Sequence, residues 1–369
     1  MILHIVGEHK ATKSFTKIFF DTFPQQIVVV CLKGKGKGLD IIEYGKETTV
    51  LNEHEVLDII DFSKISVVIV HLVTYQKERF VLKYISSKIP VIWWTYGGDL
   101  YNYFLYRKGY NLYAPQTIPF VLENQPKIRN IKKWIASHIY RPYIDRRFMR
   151  RVHGIIPCDL PDYKLACSYL GRNVDLVNVS PRKLKIDLPF ADGNDICIGN
   201  SASMTNNHLY ALDIIKRISI GSSKIILPLS YNVQSENYKE EVIKRYRQQL
   251  GNHVSFLFDF QNADEYRRSF LNYKVAIYPC WRQEALGNIF TCLQLGVKIF
   301  LSKYNPCLDI FLELGYYIYT IEDVSNEQDL NPLTQSEKEH NRDLYLKLRQ
   351  ERILSTPQIL KQYFSKFVD

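Results

Sequence analysis

Asp195-Ile196-Cys197-Ile198-Gly199-Asn200-Ser201, followed by Ala202-Ser203-Met204 and then Thr205-Asn206-Asn207-His208, is the stretch that decides how this chain folds. Asp195–Gly199 reads as a short buried strand that ends in a glycine turn, and Asn206–Ile218 reads as the helix that follows. A strand passing directly into a helix start presents free backbone N–H groups and the positive end of the helix dipole, an arrangement suited to a diphosphate. Asn200 and Ser201 add side-chain donors. Equally, Thr205 can simply cap the helix.

The same unit recurs outward from this point. Downstream come strands over Lys224–Leu229, Val254–Phe258, Val275–Pro279 and Lys298–Leu301, with helices over Glu236–Leu250, Ala263–Asn272 and Ile289–Leu295. Upstream, Ile2–Val6, Ile27–Leu32, Val67–Leu72 and Val91–Trp94 are apolar, β-branched runs. Helix-like segments over Glu53–Asp61 and Lys77–Ser86 lie between them, and Lys33–Gly38 reads as a basic, glycine-rich loop. Short apolar strands alternating with amphipathic helices specify parallel sheets covered on both faces. The 369 residues are too many for one ordinary core and suit two. The predicted fold is α/β, with two Rossmann-like domains of similar size. The expected domains are 1–175 and 176–343, joined through a proline-bearing linker between about Cys158 and Asp195. A helical tail, 344–369, is expected to break near Pro357 and return to the first domain.

Composition excludes several classes. Seven cysteines, never spaced as Cys-x-x-Cys, argue against a disulfide framework or zinc site and for a reducing compartment. No stretch approaches the roughly 18 apolar residues of a membrane span, and Met1–Gly7 lacks the charged start and length of a secretion leader. There is no Walker sequence, no Gly-x-Gly-x-x-Gly after a strand and no Asp-x-Asp beside one, so neither a cofactor nor a metal-held diphosphate is expected.

The net charge of +10 is concentrated. Between Lys127 and Arg151 nine basic residues, among them Lys132, Lys133, Arg146, Arg147, Arg150 and Arg151, face a single acid, Asp145. Ile128, Ile131, Ile135 and Ile139 fall on one helical face beside Trp134, and Pro142 is expected to stop that helix. Basic residues bordering an apolar stripe suit an interfacial helix on an anionic membrane; a core-packed helix with a solvated basic face is the alternative. The patch has no nucleic-acid reading motif.

Two further loops follow strands. Trp281-Arg282-Gln283-Glu284-Ala285-Leu286-Gly287-Asn288 offers Arg282 for a phosphate, Glu284 for sugar or ribose hydroxyls, and Gly287 and Asn288 at a helix start; a structural Arg–Glu pair is the alternative. Trp94-Thr95-Tyr96-Gly97-Gly98-Asp99-Leu100-Tyr101 places Asp99 toward the cleft as a general base, or as a plain helix cap. Glu8, after the first strand, has the same location.

Trp94–Tyr101, Ile198–His208, Ile226–Val242 and Arg282–Asn288, with Asn305-Pro306, resemble in this order the bacterial TDP-N-acetylfucosamine:lipid II N-acetylfucosaminyltransferases, the 4-alpha-L-fucosyltransferase family. The resemblance covers most of residues 94–310. It implies a fold of GT-B type, with two Rossmann-like domains facing a cleft, a dTDP- or GDP-linked sugar donor, a polyprenyl-diphosphate-linked saccharide acceptor, and action on surface polysaccharide at the cytoplasmic face of the bacterial inner membrane. By match, Gly199, Asn200, Ser201, Asn206 and His208 fall in the donor phosphate region, Pro228 and Tyr231 near the nucleoside, Arg282, Gln283 and Gly287 near the donor, and Gly97, Gly98 and Asp99 on the acceptor side. The family usually carries Gly-Asp where this chain has Ala202-Ser203, and glycine where it has Ala285. Two other classes stand beside it: a nucleotide-sugar epimerase or dehydrogenase, which lacks its dinucleotide fingerprint here, and a non-catalytic, membrane-associated sugar- or nucleotide-binding protein.

Overall fold

The structure, a computed structural model, describes residues 1–7, 12–24, 26–32, 48–51, 60–125, 130–180 and 188–368. Glu8, Lys127, Ile128, Arg129, the loop at 33–38 and nearly all of the helix expected over 53–61 lie outside the described residues. Two compact units emerge, and the chain passes between them more than once. Residues 1–108, 127–183 and 350–369 form the first; residues 109–126 and 184–349 form the second. The boundaries thus differ from those expected, most of all at 109–126.

In the first unit the chain runs β1 (Ile2–Val6), α1 (Thr12–Thr22), β2 (Ile27–Leu32), β3 (Thr48–Leu51), β4 (Val67–His71), α2 (Tyr75–Tyr84) and β5 (Val91–Trp94). A π-helical stretch, Gly98–Leu105, comes next, and α3 (Ile118–Glu123) belongs to the second unit. Then come α4 (Ile131–Ile135), a π-helical turn at Ala136–Tyr140, α5 (Arg141–Met149), β6 (Val152–Ile156), α6 (Leu160–Leu170) and β7 (Asp175–Leu176). The described strands pair in parallel in the order β3-β2-β1-β4-β5-β6-β7. β1, β4 and β5 are buried along their whole length, which is why their sequences are continuous apolar runs.

Two expectations fail here, both through proline. Pro142 does not stop the helix. It occupies the first turn of α5, where a missing N–H costs nothing, and the wide π-turn before it carries the chain through. Nor is 158–195 a bare linker: Asp159 caps α6 by accepting from the Leu160 N–H, Pro161 sits in its first turn, and Gly171 closes it in the left-handed region.

In the second unit follow β8 (Asp195–Ile198), α7 (His208–Ile215), β9 (Ile225–Pro228), α8 (Glu236–Leu250), β10 (Val254–Leu257), α9 (Ala263–Ser269), β11 (Tyr273–Tyr278), α10 (Leu286–Leu295), β12 (Lys298–Leu301), α11 (Leu308–Glu313), β13 (Ile318–Thr320) and α12 (Gln335–Val368). The sheet order is β10-β9-β8-β11-β12-β13, again parallel. Its core joins Ile196, Ile198, Leu227, Ile277 and Phe300 to Leu212, Tyr238 and Tyr246 of the covering helices.

α12 is not broken at Pro357, which lies inside one continuous helix. The final turns are held firmly enough to absorb the lost hydrogen bond: Leu360 and Phe364 are fully buried against Phe19 and Phe23 of the first unit's core. Each such side chain contributes about 1.5–3 kcal/mol by leaving water. Thr356 Oγ1 also accepts from the Ser180 N–H at 2.8 Å.

Candidate functional site

In the second unit's sheet the strand order reverses between β8 and β11, and a ligand crevice opens beyond the carboxyl ends of strands at such a point. The loops after these two strands are the ones that the sequence pointed to. Gly199 ends β8 with φ +76, and a Cβ there would lie 2.8 Å from His208 Nε2 and 2.9 Å from Asn206 Oδ1. Only glycine fits. Asn206 Oδ1 accepts from the Asn200 N–H at 2.9 Å, while Nδ2 donates to Ser201 Oγ at 3.1 Å.

Glu284 joins this loop to the one after β11. Its Oε2 accepts from Thr205 Oγ1 at 2.7 Å and from Arg282 Nε at 2.9 Å, and Oε1 accepts from Asn206 Nδ2 at 3.4 Å. Glu284 thus forms the structural Arg–Glu pair that was the alternative reading: three protein donors hold its carboxylate, and it positions Arg282. Arg282 and Gln283 are both buried, and Asn305 Nδ2 donates to the Arg282 carbonyl at 3.1 Å.

The two helix starts differ. At α7 the His208 N–H donates to Tyr238 Oη at 3.0 Å, so this start is closed from within, contrary to expectation. Burial lowers the pKa of His208 to about 3, which leaves the ring neutral, and its Nε2 has no hydrogen-bond partner. At α10, Ala285 precedes the helix in the left-handed region with φ 61 and gives no side-chain cap, so the first turn stays open. Asn288 is turned inward, donating to Tyr266 Oη at 2.8 Å. Gly287 lies in that first turn, and Pro228 ends β9. Tyr231 is partly exposed and accepts from Asn200 Nδ2 at 3.0 Å, whereas Asn200 Oδ1 and Trp281 Nε1 are buried without a partner. Buried polar groups left unpaired cost about 1–3 kcal/mol each, so these are places where a ligand would gain.

Asn207, which the sequence did not single out, holds the site from behind. In the left-handed region at φ 46, it accepts from the Ala114 N–H at 2.9 Å and donates to the Leu112 and Pro279 carbonyls. An Asn-Asn pair before a helix was its only sequence signal.

In the first unit Asp99 does not point into an open space. It is 2% exposed; Oδ2 accepts from the Val73 N–H and Trp93 Nε1, both at 2.8 Å, and Oδ1 from the Tyr96 N–H at 2.9 Å. Burial raises its pKa against the pull of these donors. Asp99 ties the ends of β4 and β5 together and is not placed to take a proton from a substrate. Gly97, at φ 77, turns the chain into Gly98 and the π-helical stretch. Also unforeseen is a buried chain at the switch point between β1 and β4: His4 Nδ1 lies 2.8 Å from His71 Nε2, and His71 Nδ1 lies 3.0 Å from Tyr96 Oη. Both histidines hide in apolar strand runs, where periodicity cannot mark them. Leu72 follows at φ 46, a strained value for a bulky residue, and Lys77 donates to the carbonyls of His71 and Leu72.

The isoleucine stripe faces solvent: Ile131, Trp134, Ile135 and Ile139 are 68, 44, 45 and 56% exposed. A core-packed helix is thereby set aside. Lys132, Arg146, Arg147 and Arg150 are exposed, and the side chain of Lys133 lies outside the described residues. Arg151 is corrected: it donates to the carbonyls of Val81, Ile85, Ser86 and Ile89 at the end of α2, so it is a structural staple. No helix among the described residues is long and apolar enough to cross a membrane, and none of their His, Cys, Asp and Glu side chains gather in a group of three able to hold a metal.

Two Rossmann-like units, each with a parallel sheet and a switch point, define the GT-B fold of glycosyltransferases. Solved structures share it: Anabaena HepE in complex with UDP and glucose (10% identity, TM-score 0.62, 99% of both chains) and sucrose-phosphate synthase from Thermosynechococcus elongatus (10%, 0.62, 99% of both). The lipopolysaccharide outer core galactosyltransferase WaaB is also similar (10%, 0.54, 96% of this chain and 99% of that one). Residues 180–336 match the family model of the 4-alpha-L-fucosyltransferases, glycosyl transferase group 56, so the chain resembles the family that its motifs pointed to.

Proposed function

We propose that this chain moves a fucose-like or N-acetylfucosamine-like sugar from a dTDP- or GDP-linked donor to a polyprenyl-diphosphate-linked saccharide, without a metal ion. It would do so as a peripheral protein at the cytoplasmic face of a bacterial inner membrane, in surface-polysaccharide assembly. The observation that carries the donor side is Arg282, fixed by Glu284 beside the uncapped start of α10, inside the segment that matches the family. As the bond to the sugar breaks, negative charge grows on the leaving diphosphate, and a preorganised guanidinium and backbone N–H groups stabilise it. HepE, a neighbour of the same fold, was solved with UDP, which supports a nucleoside diphosphate as ligand. With both oxygens of Asp99 engaged, Glu8 is the residue assigned to deprotonate the acceptor.

Calorimetry with dTDP and GDP in excess chelator tests the donor site. Wild type should bind one of them, and Arg282→Ala should bind it about 10- to 100-fold more weakly, the loss of a hydrogen bond to a charged group. Unchanged affinity in a folded Arg282→Ala protein, or binding that needs added manganese, removes this site.

A contrast between two carboxylates tests the acceptor side. Asp99→Asn puts an amide against three N–H donors and should lower unfolding free energy by about 1–3 kcal/mol while sparing nucleotide binding. Glu8→Gln should do the reverse, keeping stability and nucleotide affinity but lowering kcat about 100-fold or more. If Glu8→Gln turns over normally, the base lies elsewhere.

A further inference from the structure

Beside the exposed stripe lies a cavity of about 160 Å³ whose charged lining is entirely basic: Lys108, Arg146, Arg150 and Arg172, with the Tyr169 ring forming one wall. Several features make it more than a random gathering of surface cations. It sits at the end of α5, where helix carbonyls would ordinarily repel an anion. Arg172 removes that obstacle by donating to the carbonyls of Met149, Arg150 and Val152 at 3.3, 3.4 and 2.5 Å. The one acid of α5, Asp145, is buried and bound by Arg107 at 2.6 Å, so it does not neutralise the cavity. Lys108, Arg146 and Arg150 take part in no salt bridge among the described residues. Arg146 is steadied by its Nε donating to the Pro142 carbonyl at 3.3 Å.

The cavity also continues the apolar stripe. Ile135, Ile139, Tyr143, Arg146 and Arg150 follow one another at steps of three or four residues along α4, the π-turn and α5, and all five are exposed. An interfacial helix lies in the membrane plane with its apolar face only about 5–10 Å deep, at the boundary of headgroups and acyl chains, so a helix seated by its isoleucines would keep cations further along it at headgroup level.

We propose that this cavity binds the phosphate of a membrane lipid and prefers a doubly charged phosphomonoester or diphosphate headgroup to a singly charged phosphodiester. The inference rests on the reading that this face meets an anionic membrane, and it adds a defined pocket to what would otherwise be diffuse attraction.

Vesicle co-sedimentation separates the two. Wild-type protein should bind vesicles of phosphatidylcholine with phosphatidic acid about tenfold more tightly than vesicles of phosphatidylcholine with phosphatidylglycerol at matched surface charge. Arg146→Gln with Arg150→Gln should erase that preference while leaving weaker, salt-sensitive binding to both. Lys132→Gln with Arg147→Gln removes the same charge outside the cavity and should weaken both but keep the preference. Equal binding of wild type to the two vesicles, or loss of preference in both double variants alike, overturns the pocket and leaves membrane attraction standing. No binding to either vesicle overturns the membrane reading itself, and the pocket's lipid with it. If inorganic phosphate raises the melting temperature of wild type but not of the Arg146/Arg150 variant, and vesicles show no preference, the ligand is soluble phosphate and the lipid assignment is wrong.

Discussion

Gly199→Ala is expected to cost the second unit about 2–5 kcal/mol and to abolish nucleoside diphosphate binding. Two independent penalties add. An L side chain at φ +76 costs about 1–2 kcal/mol. The new methyl also meets His208 Nε2 at 2.8 Å and Asn206 Oδ1 at 2.9 Å, and forcing atoms into a filled site costs about 1–3 kcal/mol more. Neither neighbour can yield cheaply. His208 is fully buried beside Tyr238, and Asn206 holds the Asn200 and Ser201 end of the loop. Ala285 supplies the comparison: it already adopts a left-handed conformation, φ 61, so Ala285→Gly should be neutral or stabilise by up to about 1 kcal/mol. Urea denaturation of the two variants, with calorimetry on whichever folds, gives the answer. A Gly199→Ala protein as stable and as tightly binding as wild type would mean that the loop is not held as described.

Acid should destabilise the protein well above the range in which carboxylates titrate. His4 in the first unit and His208 in the second are completely buried, and desolvation lowers each pKa from 6.5 to about 3. Below pH 6.5 the unfolded chain takes up protons that the folded chain refuses. The stability that is complete above 6.5 is therefore lost as the pH falls toward 3. At pH 5 each histidine accounts for about 2 kcal/mol, from roughly 1.36 kcal/mol per pH unit. His71, lowered by burial and by the neighbouring His4 and Lys77, acts in the same direction. Urea midpoints measured at pH 7 and pH 5 should fall accordingly, and His208→Gln should remove the second unit's share of the difference. Equal midpoints at the two pH values would show that the rings protonate in place.

Periodicity made the sheets legible, because strands covered on both faces must be apolar throughout; β1, β2, β5 and β12 fall where that rule puts them, and the amphipathic spacing of Tyr238, Val242 and Tyr246 marks α8. Proline misled where its position within a helix, not its presence, decided the outcome, as at Pro142, Pro161 and Pro357. Location was legible at the site too: the loops after β8 and β11 meet through Glu284. Roles were less so, since whether a carboxylate faces a ligand or the protein depends on contacts distant in sequence. Asp99 meets Val73 across 26 residues, and Glu284 meets Thr205 across 79. Arg151 reads as one more surface cation until the carbonyls at the end of α2 are placed beside it.

The interleaving of the chain bears on how such a protein can be inherited or recombined. Residues 109–126 lie far upstream of the rest of their unit, yet Ala114 and Leu112 bind Asn207, Gln116 binds Asp213, and Phe120 packs on Tyr238. A fragment starting at Leu184 would therefore carry the loops after β8 and β11 without the segment that fixes Asn207. The last twenty residues belong to the other unit, whose core would lack Leu360 and Phe364 without them. Neither unit is encoded in one piece, so a single crossover cannot exchange one for a relative's. Under the proposed function, diversification of the donor sugar would have to proceed by point changes, at positions such as Ala202, Ser203 and Ala285, and not by trading modules.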